Sequence, residues 1–294
     1  MNMHNEEGAL RSECGSCFRH CRLSPGETGF CLARAADEDG NIKALYYGKI
    51  SSLSLDPIEK KPLMRFYPKS NILSVGFYGC NMRCPFCQNH EISYETIEGR
   101  CPVPDACFRY IMPDELCSAA AKLKSRNNIG VAYTYNEPLT SWEYVRDCAR
   151  LVSENNMKNV LVSNGTASYD VLSEILPYMD AMNIDLKSFN KDIYKKLLKG
   201  DLDAVKDFIS HAAGRTHLEI TTLVVTDMND SSEEIEDIAN FIASLPNGRE
   251  IPLHLSRFFP GFDMTDRKAT DVRKIYALAD IARRHLKYVY TGNC

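Results

Sequence analysis

The sequence predicts an α/β protein, a full or partial barrel of parallel strands preceded by a small cysteine-rich segment. Three observations carry that expectation. From residue 71 onward, short β-branched and apolar runs alternate with amphipathic helical stretches. Polar and ionisable residues fall at the carboxyl ends of the predicted strands, where α/β folds build their ligand sites. Most of the 12 cysteines collect in two tight groups, one before the alternation and one directly after its first strand. A doubly wound open sheet is the alternative, because periodicity does not fix strand order.

The composition frames both versions. The chain has 294 residues, 44% hydrophobic and 25% charged, which is a soluble globular profile. Its formal charge is −4, so no basic excess points to nucleic acid or to an anionic membrane. No apolar run approaches the roughly 18 residues of a membrane span. The start, MNMHNEEGALRSEC, is polar and lacks a signal-peptide core. A cytoplasmic location follows, and there clustered cysteines bind metal or do chemistry rather than pair.

Residues 1 to about 40 hold the first group, Cys14, Cys17, Cys21 and Cys31, with Gly15, Gly26 and Gly29 leaving room for the backbone to wrap a metal. Four thiolates fit a closed zinc site or a second iron–sulfur cluster. The segment has too few apolar residues to fold without one. Ile42 to Ile50 is expected to form a hairpin after the Asp39-Gly40-Asn41 turn signal. DPIEKKPL (56–63) reads as a Pro-punctuated connection, closing an N-terminal unit of residues 1–65 ahead of a barrel domain of 66–294.

The strand runs are 71–77, 129–135, 159–164, 181–187, 217–225 and 251–258, with 288–290 as a seventh. Helical stripes lie between them. Leu116, Ala119, Ala120 and Leu123 form one, and Val145, Cys148, Leu151 and Val152 another. Ile235, Ile238, Ala239 and Ile242 follow a Ser231/Glu234 capping pair, and Val272, Ile275, Ala279, Ala282 and Leu286 form the last stripe. Strand ends then line up Asn136 and Glu137, Ser163 and Asn164, Asp185 and Lys187, and His254 and Arg257. Each has an ordinary structural role available: a helix cap, a turn, an ion pair, a core histidine. Their coincidence on one rim favours a site.

Cys80-x3-Cys84-x2-Cys87 is the strongest signal. Three thiolates on one loop hold three irons of a cubane and leave the fourth open to a small molecule. With His90 as fourth ligand, a zinc site is the alternative. Cys117 and Cys148 read as small core hydrophobes, and Cys101 and Cys107 as thiols near the site. Cys294 ends the chain directly after a predicted strand, where related sequences often continue into a short Cys-containing tail.

The triplet, with Phe86 before its last cysteine, resembles the signature of the radical S-adenosylmethionine (SAM) superfamily. YTYNEP (133–138), SNG (163–165), NIDLKSF (183–189) and HLSRFFP (254–260) resemble motifs of its pyruvate formate-lyase activating branch. YYGKISSLSLDPIEKKPL (46–63) and the cysteine-rich start most resemble the AmmeMemoRadiSam-system enzymes. The resemblance implies a partial (β/α)6 TIM-like barrel with a [4Fe-4S] cluster on Cys80, Cys84 and Cys87. It implies reductive cleavage of SAM to a 5′-deoxyadenosyl radical that abstracts hydrogen. Carried over by position, Phe86 lies near the adenine, Asn136 and Glu137 by the amino group, and Ser163 and Asn164 near the methionyl or ribose portion. Asp185 accepts from a ribose hydroxyl, Lys187 pairs with the SAM carboxylate, His254 contacts the ribose, and Arg257 faces SAM or substrate. Tyr135-Asn136 departs from the two glycines of the branch. The implied partners are a flavodoxin- or ferredoxin-like reductant and either a glycyl-radical protein substrate or Memo-like and AMMECR-like proteins. Modification of a small molecule or of another protein residue is the alternative reaction. A non-catalytic metal-binding scaffold is the alternative of another class.

Overall fold

The structure is a computed structural model and describes residues 11–95 and 109–294. Cys101 and Cys107 lie outside the described residues. The N-terminal segment carries two short antiparallel pairs, β1 (Ser12–Glu13) with β2 (Arg22–Leu23) and β3 (Arg34–Ala36) with β4 (Ile42–Ala44). The expected hairpin therefore forms one strand earlier than the spacing suggests. Asp37 accepts from the Asn41 amide at 2.7 Å, and Gly40 takes φ +82°, so the turn folds β3 rather than β5 onto β4.

After β5 (Lys49–Ile50), β6 (Ser52–Pro57) runs antiparallel to β7 (Asn71–Gly76). A two-stranded pairing joins β8 (Arg109–Tyr110) back to β5. The chain then alternates α1 (Pro113–Lys122), β9 (Asn128–Thr134), α2 (Trp142–Glu154), β10 (Lys158–Ser163), α3 (Tyr169–Ile175), β11 (Ala181–Asp185), α4 (Leu202–Ala212), β12 (His217–Val224), α5 (Ser232–Ala243), β13 (Leu253–Arg257), α6 (Val272–Ala282) and β14 (Val289–Gly292).

The sheet order is β14-β13-β12-β11-β10-β9-β7-β6. From β7 to β14 every neighbouring pair is parallel, and the order never reverses. A doubly wound sheet needs a reversal at its centre. Sequential right-handed crossovers instead keep the helices on one face and curl the sheet. Six βα units and a final strand thus make a partial barrel, with β6 and β14 at its edges.

Two apolar layers hold it. Helix residues such as Leu116, Val145, Ile209, Ile238 and Leu278 bury against the outer strand faces. Ile72, Ala132, Val160 and Ala181 face the interior near the strand starts, where Ile58, Leu63 and Phe66 pack on them. The connection after β6 is therefore a plug for the amino-terminal end of the barrel. Among the described residues, no helix is long and apolar enough to cross a membrane.

Candidate active site

β7 leads into a loop that carries all three cysteines of the second group. Gly79 takes φ +88°, and a Cβ there would fall 2.6 Å from the Cys31 carbonyl oxygen. Only glycine lets this loop press against the N-terminal segment. Cys80 Sγ receives the Met82 amide at 3.4 Å and Asn164 Nδ2 at 3.8 Å. Cys87 Sγ and Ser93 Oγ are 3.7 Å apart. Burial pushes all three thiols up, Cys84 to about 12 even with the Lys187 ammonium nearby to oppose it. Buried thiols in that state ionise when a cation takes them.

The donor set fits an iron–sulfur cluster. Among the described residues, no three His, Cys, Asp or Glu side chains converge on a single metal ion. A cubane asks for something else, one thiolate per iron. His90, the residue that would complete a zinc site, stacks on Phe262 with ring centroids 4.2 Å apart.

Glu137 organises the rim beside the triplet. It begins the 3-10 turn Pro138–Ser141 and accepts the Leu139 amide at 3.1 Å. It also accepts from Ser163 Oγ at 2.9 Å and the Asn164 amide at 2.8 Å. Burial raises its carboxyl to about 7 against those hydrogen bonds. Asn164 Nδ2 donates to Asn81 Oδ1 at 2.8 Å and points at Cys80 Sγ. Glu137, Ser163, Asn164 and the cysteine loop are thus one connected network.

Tyr135 keeps the backbone geometry of a glycine, with φ +75°, a conformation that is strained for a tyrosine. Asn136 accepts from the Phe77 amide at 3.1 Å and donates to the Gly79 carbonyl at 2.6 Å, tying two strand ends together.

Asp185 and Lys187 pair at 2.7 Å, half-buried, near Cys84. Asp185 and the Cys84 thiol hold the Lys187 ammonium well above its usual range, although burial lowers it. Phe86 is buried in the same loop as the cysteines. His254 is set apart from this group, with Nε2 2.6 Å from Glu219 and its ring stacked on Tyr290. Arg257 donates through Nε to the Thr270 carbonyl at 2.7 Å.

Sequence reasoning passed over Asn81, which joins Asn164 to the cysteine loop. It also passed over Asp56, which accepts from Lys61 at 2.9 Å and from the Tyr135 hydroxyl at 2.7 Å inside the barrel. The period-2 run Ser52-Leu53-Ser54-Leu55-Asp56 was the available signal for β6 and its inward face.

A family model described as the Radical SAM superfamily matches residues 74–242, more than half the chain, including the three cysteines, Glu137, Ser163 and Asn164. The chain belongs to the radical SAM superfamily. A [4Fe-4S] cluster and SAM are the cofactors of that family. The chain is 39% identical over 282 residues to an uncharacterized protein of Methanocaldococcus jannaschii, MJ0808, covering 95% of this chain and 80% of that one. It is 25% identical to the pyruvate formate-lyase-activating enzyme of Clostridium pasteurianum, over 61% of this chain and 72% of that enzyme. The crystal structure of Streptococcus suis SuiB bound to S-adenosylmethionine superposes with a TM-score of 0.56 at 14% identity, over 74% of this chain and 49% of that one. This radical SAM fold is an α/β architecture with a mostly parallel central sheet.

Proposed function

We propose that this radical SAM protein cleaves SAM reductively and uses the product radical to abstract hydrogen from a partner protein. The network running from Cys80 through Asn164 to Glu137 carries the reading, because it joins the cysteine loop to a buried carboxylate. When bound, a [4Fe-4S] cluster and SAM supply one-electron cleavage of a carbon–sulfur bond and a 5′-deoxyadenosyl radical. Cys80, Cys84 and Cys87 would each hold one iron of the cluster, and three thiolates for four irons would leave one iron for SAM. Glu137 would accept from an N–H of the methionyl amino group, and Ser163 and Asn164, which it orients, would line the methionyl and ribose portion. Lys187 meets the carboxylate and Asp185 a ribose hydroxyl, while Phe86 packs by the adenine. Asn136 holds the strand ends. Arg257 belongs to the wall on which the substrate rests, whereas His254 is held by Glu219 away from the cysteine loop. A metal on Cys14, Cys17, Cys21 and Cys31 completes the protein.

The similarity to an activating enzyme supports a protein substrate, and the open barrel between β6 and β14 gives a polypeptide loop an entry. A flavodoxin- or ferredoxin-like protein supplies the electron. Memo-like or AMMECR-like proteins are the alternative partners. One observation favours a small polar substrate instead, the buried Asp56–Lys61–Tyr135 group within the barrel.

The protein is reconstituted anaerobically with iron and sulfide, then given SAM and dithionite. It is expected to form 5′-deoxyadenosine, and Cys84→Ala is expected to abolish that product. Product from Cys84→Ala overturns the cluster assignment. A full cluster without product in the unsubstituted protein overturns the radical chemistry and leaves a metal-binding scaffold.

A further inference from the structure

We infer that Tyr135 is a positioning residue for Glu137, and that Asp56, itself fixed by Lys61, holds Tyr135 in the backbone conformation that aims that carboxylate. The inference rests on the SAM contact proposed for Glu137. Tyr135 lies between the end of β9 and Glu137 and takes φ +75°. A residue with a side chain avoids that region and stays in it only where its surroundings over-determine it. Glycine needs no such help.

The surroundings of Tyr135 supply the constraint at both of its ends. Strand order is β9-β7-β6, and the tyrosine ring spans β7 to reach β6. Its hydroxyl donates to Asp56 Oδ2 at 2.7 Å. Lys61 Nζ donates to the same oxygen at 2.9 Å and lies 4.5 Å from the centre of the Tyr135 ring. Asp56 and Lys61 are both buried, so separating them would leave a buried charge alone. Burial raises the Asp56 carboxyl, but hydrogen bonds from Tyr135 and Lys61 bring it down to about 2, so the acceptor is a charged one. β7 makes room for the ring with Gly76, where an added Cβ would fall 2.9 Å from Tyr135 Cδ2. At the backbone end, the Tyr135 carbonyl accepts from Asn89 Nδ2, two residues beyond Cys87.

The constraint passes to the site through two residues. Rotation about the φ bond of Tyr135 swings its carbonyl and all that follows it away from the line of β9. Outside the left-handed region, the carbonyl leaves Asn89, and Asn136 leaves the Phe77 amide and the Gly79 carbonyl. Glu137 then turns from Ser163 Oγ and the Asn164 amide on the β10 side. A hydroxyl bonded to β6 thereby sets the direction of a carboxylate that faces β10.

Equilibrium binding of labelled SAM to anaerobically reconstituted protein tests this, with iron content and urea midpoint measured on the same samples. Tyr135→Phe keeps the ring and withdraws the hydroxyl. It is expected to weaken SAM binding about tenfold, the scale of one bond to a charged group, with the iron content unchanged. Tyr135→Gly deletes the ring but adopts the left-handed conformation unaided, and is expected to bind SAM more tightly than Tyr135→Phe. A packing role predicts the reverse order, because glycine leaves the larger cavity, and that order overturns the inference. Asp56→Asn is expected to cost about fivefold in the unsubstituted background and nothing further beside Tyr135→Gly, which has no hydroxyl to hold. Equal losses in the two backgrounds overturn the part given to Asp56. A second readout needs no SAM. The Asn164 amide, which donates to Glu137, is expected to lose about tenfold in hydrogen-exchange protection in Tyr135→Phe and less in Tyr135→Gly. Should the unsubstituted protein bind no SAM, the SAM contact of Glu137 fails, and the exchange ranking still decides the positioning. Equal protection of the Asn164 amide in all three proteins overturns it.

Discussion

Glu137 shows how much one side chain settles at this site. It is fully enclosed, accepts three hydrogen bonds, and still has its carboxyl raised from 4.5 to about 7 by burial. The sign follows directly. Between about 4.5 and 7 the folded protein without SAM binds a proton that the unfolded chain has lost, so this group lowers stability as pH rises through that window. A methionyl amino N–H donating to Glu137 opposes that preference by favouring the ionised form. On the proposed reading, SAM binding tightens from pH 6 to pH 8 as Glu137 ionises. Glu137→Gln removes the charge and turns an N–H toward the Asn164 amide. It should weaken SAM binding about 10- to 100-fold at pH 8, the value of a charge-assisted hydrogen bond, and leave little pH dependence. Equilibrium binding of labelled SAM to the reconstituted protein checks both, and a pH-independent affinity in the unsubstituted protein contradicts the assignment. The Glu137 side chain was legible in the sequence because it follows a β-branched strand and precedes a proline. Asn81, which accepts from Asn164 in the same network, was not, since an asparagine between two cysteines carries no signal of the strand that will face it.

The elements were more legible than their joins. α1, α2, α5 and α6 fall on the apolar stripes that predict them, and Ser231 accepts from the Glu234 amide at 3.1 Å at the start of α5. The parallel strands fall on their β-branched runs to within a few residues. β6 was hidden because its alternating Ser and Leu lead into a Pro-rich plug that reads as a linker. The docking of the N-terminal segment was hidden for a different reason: it depends on an absent side chain. At Gly79 an added Cβ would meet the Cys31 oxygen at 2.6 Å and the Ala33 Cβ at 2.7 Å, at φ +88°. Gly79→Ala therefore combines a left-handed backbone cost of about 1–2 kcal/mol with a backbone collision. It should destabilise the protein by about 2–4 kcal/mol and part Cys31 from Cys80. Urea midpoints measure the first, and protection of the Cys80 amide in hydrogen exchange measures the second. An unchanged midpoint with the amide still protected shows that the seam tolerates a methyl.

At the scale of the molecule, the barrel is chemically divided along its axis, with cysteines and Glu137 at the carboxyl end and a plug at the amino end. One carboxylate holds the end of the plug. Glu219, wholly buried on β12, accepts the Met64 amide at 3.0 Å and the Arg65 amide at 2.8 Å, and pairs with His217 at 2.8 Å and His254 at 2.6 Å. This network claims His254, which the sequence places at a strand end but cannot assign to a depth or a partner 35 residues away. Burial alone would raise the Glu219 carboxyl, yet hydrogen bonds from His217, His254 and the Met64 amide bring it down to about 2. The gap from 4.5 corresponds to about 3 kcal/mol of folding stability. Because the folded value is depressed, that stability is fully present above the ordinary carboxylate range and is lost as pH falls toward 2. Glu219→Gln should cost about 3 kcal/mol at pH 7, and the difference between the two proteins should narrow from about pH 4.5 downward. Denaturant midpoints taken from pH 7 to pH 3 decide it. A difference that stays constant across that range would mean the plug is held by packing of Ile58, Leu63 and Phe66 rather than by the Glu219 charge.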